Sequence, residues 1–161
     1  MQVNIALLTV TDTRTIDTDK SGAILVKKIK EQNHNLLDRK IVKDEKNKIK
    51  KILLNWIKKK EIDVIITTGG TGLTGRDVTP EATLAIIDRE VPGIAEAMRN
   101  RTMDITPFAA LSRSVAGVRQ DTLIINMPGS PKAVQECLEV LMPVIPHALD
   151  LLKDPPISHE S

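Results

Sequence analysis

The chain has 161 residues, the size of one domain, and 41% of them are apolar, enough to bury a core without disulfide or metal staples. Its formal net charge of +2 is too small to imply a nucleic-acid partner, and with Trp56 and Phe108 as its only aromatics it has no platforms for base stacking. A single cysteine, Cys137, excludes an internal disulfide, and no apolar run reaches the length of a membrane span.

Residues 3–10 form an apolar run rich in strand formers, followed by a polar loop over 11–21. The run lacks a basic leader and a small-residue cleavage site, so no signal peptide is expected and the expected location is the cytoplasm. Gly22, Leu25, Val26 and Ile29 fall on one face of a helix, and 36–42 reads as a second strand. Ile49, Ile52, Leu53, Trp56 and Ile57 mark the clearest helix. Lysines fill its other face, which reads as a solvated surface rather than a polyanion site.

Residues 62–68 are apolar nearly throughout, as expected of a strand covered by helices on both faces. A glycine-rich segment, 69–77, comes next. Thr79 and Pro80 read as the N-cap and first residue of a helix running to Ile87, and 94–101 as another helix after Pro92 and Gly93. The pattern over 106–118 is mixed and specifies no element. Residues 122–127 read as a buried strand, and Val134, Cys137, Leu138 and Leu141 as a helix face. His147 is placed on a terminal helix. Pro143, Pro146 and Pro155 punctuate the end, with the last few residues frayed. Strands alternating with helices predict an α/β sandwich with a mainly parallel sheet, in one domain over 1–161.

In such sheets ligands bind beyond the carboxyl ends of the strands. That rule selects the segments around Thr11 and Asp12, around Asp44, from Gly69 to Asp77, and from Pro128 to Pro131. Gly70, Gly72 and Gly75 spell a dinucleotide fingerprint, but they follow the third strand and stand apart from the next helix, so a nicotinamide site is not expected. No Gly-Lys-Ser/Thr follows, so the loop is not a Walker loop either. Clustered glycines still let backbone N–H groups approach an anion closely. Asp44 and Asp77 each precede a helix and could serve as N-caps; together, beside a glycine loop, they favour a hard-cation site. The segment before Ser130 lacks a nucleophile elbow, and the three histidines are scattered, so neither a serine hydrolase nor a zinc site is expected.

The stretch Thr68-Gly69-Gly70-Thr71-Gly72-Leu73-Thr74-Gly75-Arg76-Asp77-Val78-Thr79-Pro80-Glu81-Ala82 resembles the signature of the MoaB/MogA molybdenum-cofactor family, which includes the G domains of gephyrin. Leu8 to Thr13, Thr106 to Ser114, Leu123 to Ser130 and Pro146 to Ala148 agree with it in order. Lys43 stands where many members have proline, and 14–20 match only loosely.

The resemblance implies a Rossmann-like three-layer α/β/α sandwich. It also implies adenylylation of molybdopterin with Mg²⁺ and ATP, releasing pyrophosphate. On that basis Asp44 and Asp77 are the catalytic, metal-holding residues. Gly69, Gly70, Thr71 and Gly72 of the glycine loop, with Ser112, Arg113 and Ser114, hold molybdopterin, Thr11 and Asp12 bind substrate, and Pro128, Gly129, Ser130 and Pro131 hold the nucleotide. The family also implies a homotrimer or hexamer, working with other molybdenum-cofactor synthesis proteins, without nucleic acid or membrane. Two alternatives are a molybdopterin carrier or scaffold without turnover, and a nucleotide pyrophosphatase like the related CinA domain.

Overall fold

A computed structural model describes residues 1–153, so Pro155, His159 and the expected frayed end lie outside the described residues. In chain order the elements are β1 (Asn4–Val10), α1 (Lys20–Glu31), β2 (Asn35–Val42), α2 (Lys46–Ile57), β3 (Val64–Thr68) and α3 (Thr79–Leu84). Then come β4 (Arg89–Glu90), α4 (Pro92–Met103), a 3₁₀ turn (Pro107–Leu111), β5 (Ala116–Arg119), β6 (Thr122–Met127), α5 (Pro131–Leu141) and α6 (Ile145–Leu152).

Among the described residues the strands form one six-stranded sheet in the order β2-β1-β3-β6-β5-β4. The pairs β1–β2, β1–β3 and β3–β6 are parallel, whereas β5–β6 and β4–β5 are antiparallel. Chain order reverses between β1 and β3, so the crevice at the carboxyl ends of these strands is where a ligand is expected in this topology.

Side chains alternate across the strands, and each face builds its own core. Ile5 and Leu7 of β1, Val64 and Ile66 of β3, and Leu123 and Ile125 of β6 pack with Leu25, Met98, Val134 and Leu149 of α1, α4, α5 and α6. Ala6 and Leu8, Ile65 and Ile124 face the other way, against Ile49, Leu53 and Trp56 of α2 and Ala82 of α3. Those two cores make three layers. Each fully buried Leu or Ile contributes about 1.5–3 kcal/mol relative to exposure, so both faces anchor the strand ends firmly.

Besides shifts of one or two residues at other element ends, such as β3 beginning at Val64 and α1 at Lys20, the sequence reading departs from the structure in four places. The helix expected to run to Ile87 ends at Leu84. The helix expected over 94–101 begins at Pro92 and continues to Met103. The unassigned stretch 106–118 contains the 3₁₀ turn and the start of β5. Thr79 is not the cap of α3. Val78 holds that position without a side-chain bond, and the Thr79 hydroxyl donates instead to the Gly69 carbonyl at 2.9 Å. No helix among the described residues is long and apolar enough to cross a membrane.

Candidate active site

The glycine loop leaves β3 between the ends of β1 and β6. Gly69 has φ +93° and Gly70 φ +70°, conformations that glycine adopts without penalty. A Cβ on Gly69 would lie 2.3 Å from the Val10 carbonyl oxygen, and the Cβ position on Gly129 is 3.3 Å from Gly69 Cα. Three strand ends therefore converge here at backbone-to-backbone distance.

The hydrogen bonds of this loop are one-sided. The Gly69 carbonyl accepts from the Thr79 hydroxyl, and the Gly70 carbonyl from Thr79 N–H at 3.1 Å. Thr71 O accepts from Arg113 N–H at 2.9 Å, and Gly72 O from Arg113 Nε at 2.7 Å. The N–H groups of the same four peptides, on Gly70, Thr71, Gly72 and Leu73, meet no acceptor among the described residues. In a trans peptide C=O and N–H point in opposite directions, so the amides of Gly70 and Thr71 turn away from Thr79 and those of Gly72 and Leu73 turn away from Arg113. Backbone donors are seldom left unpaired near a protein interior, and grouped ones bind anions.

The acidic residues gather around this loop, and neither Asp44 nor Asp77 caps the helix that follows it. Glu45 occupies the cap position of α2, without a side-chain bond. Asp77 Oδ2 accepts from Thr74 N–H at 3.1 Å and from its hydroxyl at 2.9 Å, closing the loop on itself. That oxygen also lies 2.8 Å from the Cβ position of Gly72, while Asp44 Oδ1 lies 3.1 Å from that of Gly70. Asp12 takes a two-pronged ion pair from Arg76, each contact at 3.0 Å, and accepts from Asp44 N–H at 3.1 Å. Burial, then the charges of Asp12 and Asp77, push the Asp44 carboxyl above its ordinary value. The hydrogen bond from Arg76, then that from the Asp44 backbone, holds Asp12 below its own.

A cavity of about 440 Å³ opens beside the loop. Its polar wall includes Gly70, Thr71, Gly72, Asp77, Ser112 and Ser114, and Met98, Phe108 and Leu111 line its apolar side. Ser112 and Ser114 face it, whereas the intervening Arg113 points the other way, as alternation along extended backbone requires. Arg113 therefore stands in the structure as a brace behind the loop rather than on the cavity wall. Arg99, which the sequence reading missed, anchors the serine segment by donating to Ser112 O at 3.3 Å and Ser114 O at 2.9 Å.

A second cavity, also about 440 Å³, lies toward β1 and is lined by Thr11, Arg14, Asp19, Gly69, Ser130 and Pro131, among others. Gly129 and Ser130 border both cavities, while Pro128 lines the first alone. Ser130 caps α5 by accepting from Ala133 N–H at 3.1 Å. Asp12 and Asp44 line neither cavity and sit at the outer edge of the glycine loop. No histidine lines either cavity.

A crowd of mutually repelling carboxylates beside unpaired amides suits a hard cation bound together with phosphate. No group of three or more acidic, histidine or cysteine side chains among the described residues forms a ready-made metal cage.

A family model described as a probable molybdopterin binding domain matches residues 6–147. The chain belongs to this family. The molybdopterin adenylyltransferase of Helicobacter pylori is 40% identical over 93% of this chain and 88% of its own length. The crystal structure of the molybdopterin biosynthesis enzyme MoaB from Thermus thermophilus superposes with a TM-score of 0.87 at 44% identity, covering 98% of this chain and all of that one. The Drosophila molybdenum cofactor synthesis protein cinnamon is 41% identical over 94% of this chain, which spans only 26% of the fly protein. The chain thus matches one part of some longer relatives and nearly all of others.

Proposed function

We propose that this chain is a molybdopterin adenylyltransferase, which transfers AMP from Mg-ATP to the phosphate of molybdopterin. The observation that carries this is the row of four unpaired amides between two carboxylates, running along the wall of the first cavity, which a second cavity adjoins at Gly129 and Ser130. Two anionic substrates need two sites that meet, with donors at the meeting point. The larger apolar surface belongs to the first cavity, which takes the pterin, with Ser112, Ser114 and the glycine loop on its phosphate. The second cavity, with Thr11, Ser130 and Pro131, takes the nucleotide.

In the reaction an oxygen of the molybdopterin phosphate forms a bond to the α-phosphorus of ATP. The bond from that phosphorus to the bridging oxygen breaks, and pyrophosphate leaves with the electron pair. A phosphate monoester is already largely anionic at neutral pH, so no general base is needed. The chain's residues align the two anions, and each loop amide that meets one contributes about 1.5–3 kcal/mol as a charge-assisted bond. Asp77 and Asp44 would hold Mg²⁺, which would supply positive charge to the polyphosphate. The proposal extends to a closed cyclic oligomer, trimer or hexamer, working in the cytoplasm.

Purified protein incubated with molybdopterin and Mg-ATP tests the reading. Adenylylated pterin should form, with pyrophosphate released only when molybdopterin is present. Asp77→Asn should keep its melting temperature and lose roughly 10²-fold in turnover, the scale of one preorganised electrostatic contact. Pyrophosphate release from ATP and water alone would make the chain a pyrophosphatase. Tight molybdopterin binding without turnover would make it a carrier.

A further inference from the structure

Arg113 makes more directed contacts than any surface role requires. Its N–H and Nε hold Thr71 O and Gly72 O, and its NH2 group donates to Asp77 O at 2.8 Å. A further guanidinium nitrogen pairs with Glu81 of α3. One residue thus grips both ends of the loop that carries the amides and Asp77, and Glu81 fixes it to a helix that packs on the sheet.

We propose that Arg113 is a positioning residue for adenylyl transfer. It turns the carbonyls of Thr71 and Gly72 inward, which leaves the amides of Gly72 and Leu73 free for a substrate phosphate, and it sets the backbone from which Asp77 would reach a metal. It touches neither substrate. The inference rests on the adenylyl-transfer reading and adds to it the part that holds the donors in register.

The geometry explains the choice of arginine. A guanidinium offers donors in a rigid planar fork, so it can take two carbonyls and a carboxylate at once; an ammonium holds one or two of them as a point charge. Burial alone would raise the Glu81 carboxyl. The hydrogen bond from Arg113, the backbone hydrogen bond at Glu81 and the charges of Arg113 and Lys46 together outweigh it and hold that carboxyl below its ordinary value.

The test is a double-mutant cycle between Arg113→Lys and Asp77→Asn, measuring kcat, KM for each substrate, melting temperature and molybdopterin affinity without ATP. Arg113→Lys should melt within a few degrees of wild type. It should weaken molybdopterin binding roughly tenfold and lower kcat roughly 10–100-fold, as losses of supporting contacts do. In the Asp77→Asn background its effect on kcat should shrink to less than about threefold, because the carboxylate it positions is gone. Its effect on molybdopterin affinity should persist.

Losses that multiply in the double mutant, or wild-type parameters in Arg113→Lys, would overturn the proposal. If Arg113→Lys does not fold, Glu81→Gln decides, since it leaves the carbonyl contacts in place. A loss of roughly two- to fivefold in both kcat and molybdopterin affinity supports the brace, and unchanged values overturn it. A wild type that binds molybdopterin without adenylylating it removes the functional reading alone; Arg113→Lys must then still lose roughly tenfold in affinity. A wild type that binds no molybdopterin sinks both.

Discussion

At Asp44 a half-buried carboxyl faces the charges of Asp12 and Asp77, and its proton affinity is raised. A carboxyl whose folded pKa lies above its ordinary 3.8 contributes stability that is full below that value and is lost as pH rises through the folded value. Asparagine carries no such charge. The melting temperature of Asp44→Asn, minus that of wild type, should therefore climb as pH rises from about 4 and level off once Asp44 is fully ionised. Scanning calorimetry across that range checks it. A difference that stays flat, or that falls with rising pH, would contradict the assigned repulsion. With Mg-ATP present the order should narrow or reverse, because a ligand that binds the wild-type site more tightly stabilises it by mass action.

Among the elements, the glycine loop depends on backbone shape as much as on chemistry. Gly69 combines a positive φ with a Cβ position 2.3 Å from Val10 O, so alanine there must either strain the loop or part β1 from β3. Gly69→Ala should cost about 3 kcal/mol, the upper end for one strained residue, and lower the melting temperature on the order of 10 °C. Gly72 has no positive φ; its Cβ position meets only the flexible Asp77 carboxylate, at 2.8 Å. Gly72→Ala should melt near wild type yet lose turnover, by pushing that carboxylate aside. Melting curves beside turnover separate the two glycines, and equal destabilisation of both would show that the loop is held for fold alone.

For the molecule as a whole, the apolar surface left bare is uneven. Met103, Ile105, Phe108 and Leu111 are all exposed within one short stretch, Phe108 at 75%. A surface of that kind marks a site of association more often than free solvent exposure. The proposed trimer or hexamer should appear in light scattering at micromolar protein as three or six times the chain mass of 17.7 kDa. A mass of one chain under those conditions would count against a cyclic assembly.

Much of this was legible in the residues. The buried strands β1, β3 and β6 are continuous apolar runs that a covered parallel sheet demands, and α2 carries helical periodicity against lysines. Glycines crowded beside acidic residues marked the loop around which Asp12, Asp44 and Asp77 gather. The β5–β6 hairpin was hidden because it turns on Gln120 and Asp121, with φ +52° at Gln120 and neither Asn-Gly nor Asp-Gly to signal it. Two-residue β4 is exposed throughout and so has no pattern to read.

Local sequence determined which segments become strands and helices, because periodicity and the conformational freedom of glycine act over a few residues. Only the tertiary structure decided which groups Asp44, Asp77 and Arg113 meet. Capping by the two aspartates and a substrate contact by the arginine were all compatible with the sequence. Which group each side chain meets is set by residues tens of positions away, such as Gly72 and Glu81 meeting Arg113, and those meetings exist only once the sheet has formed.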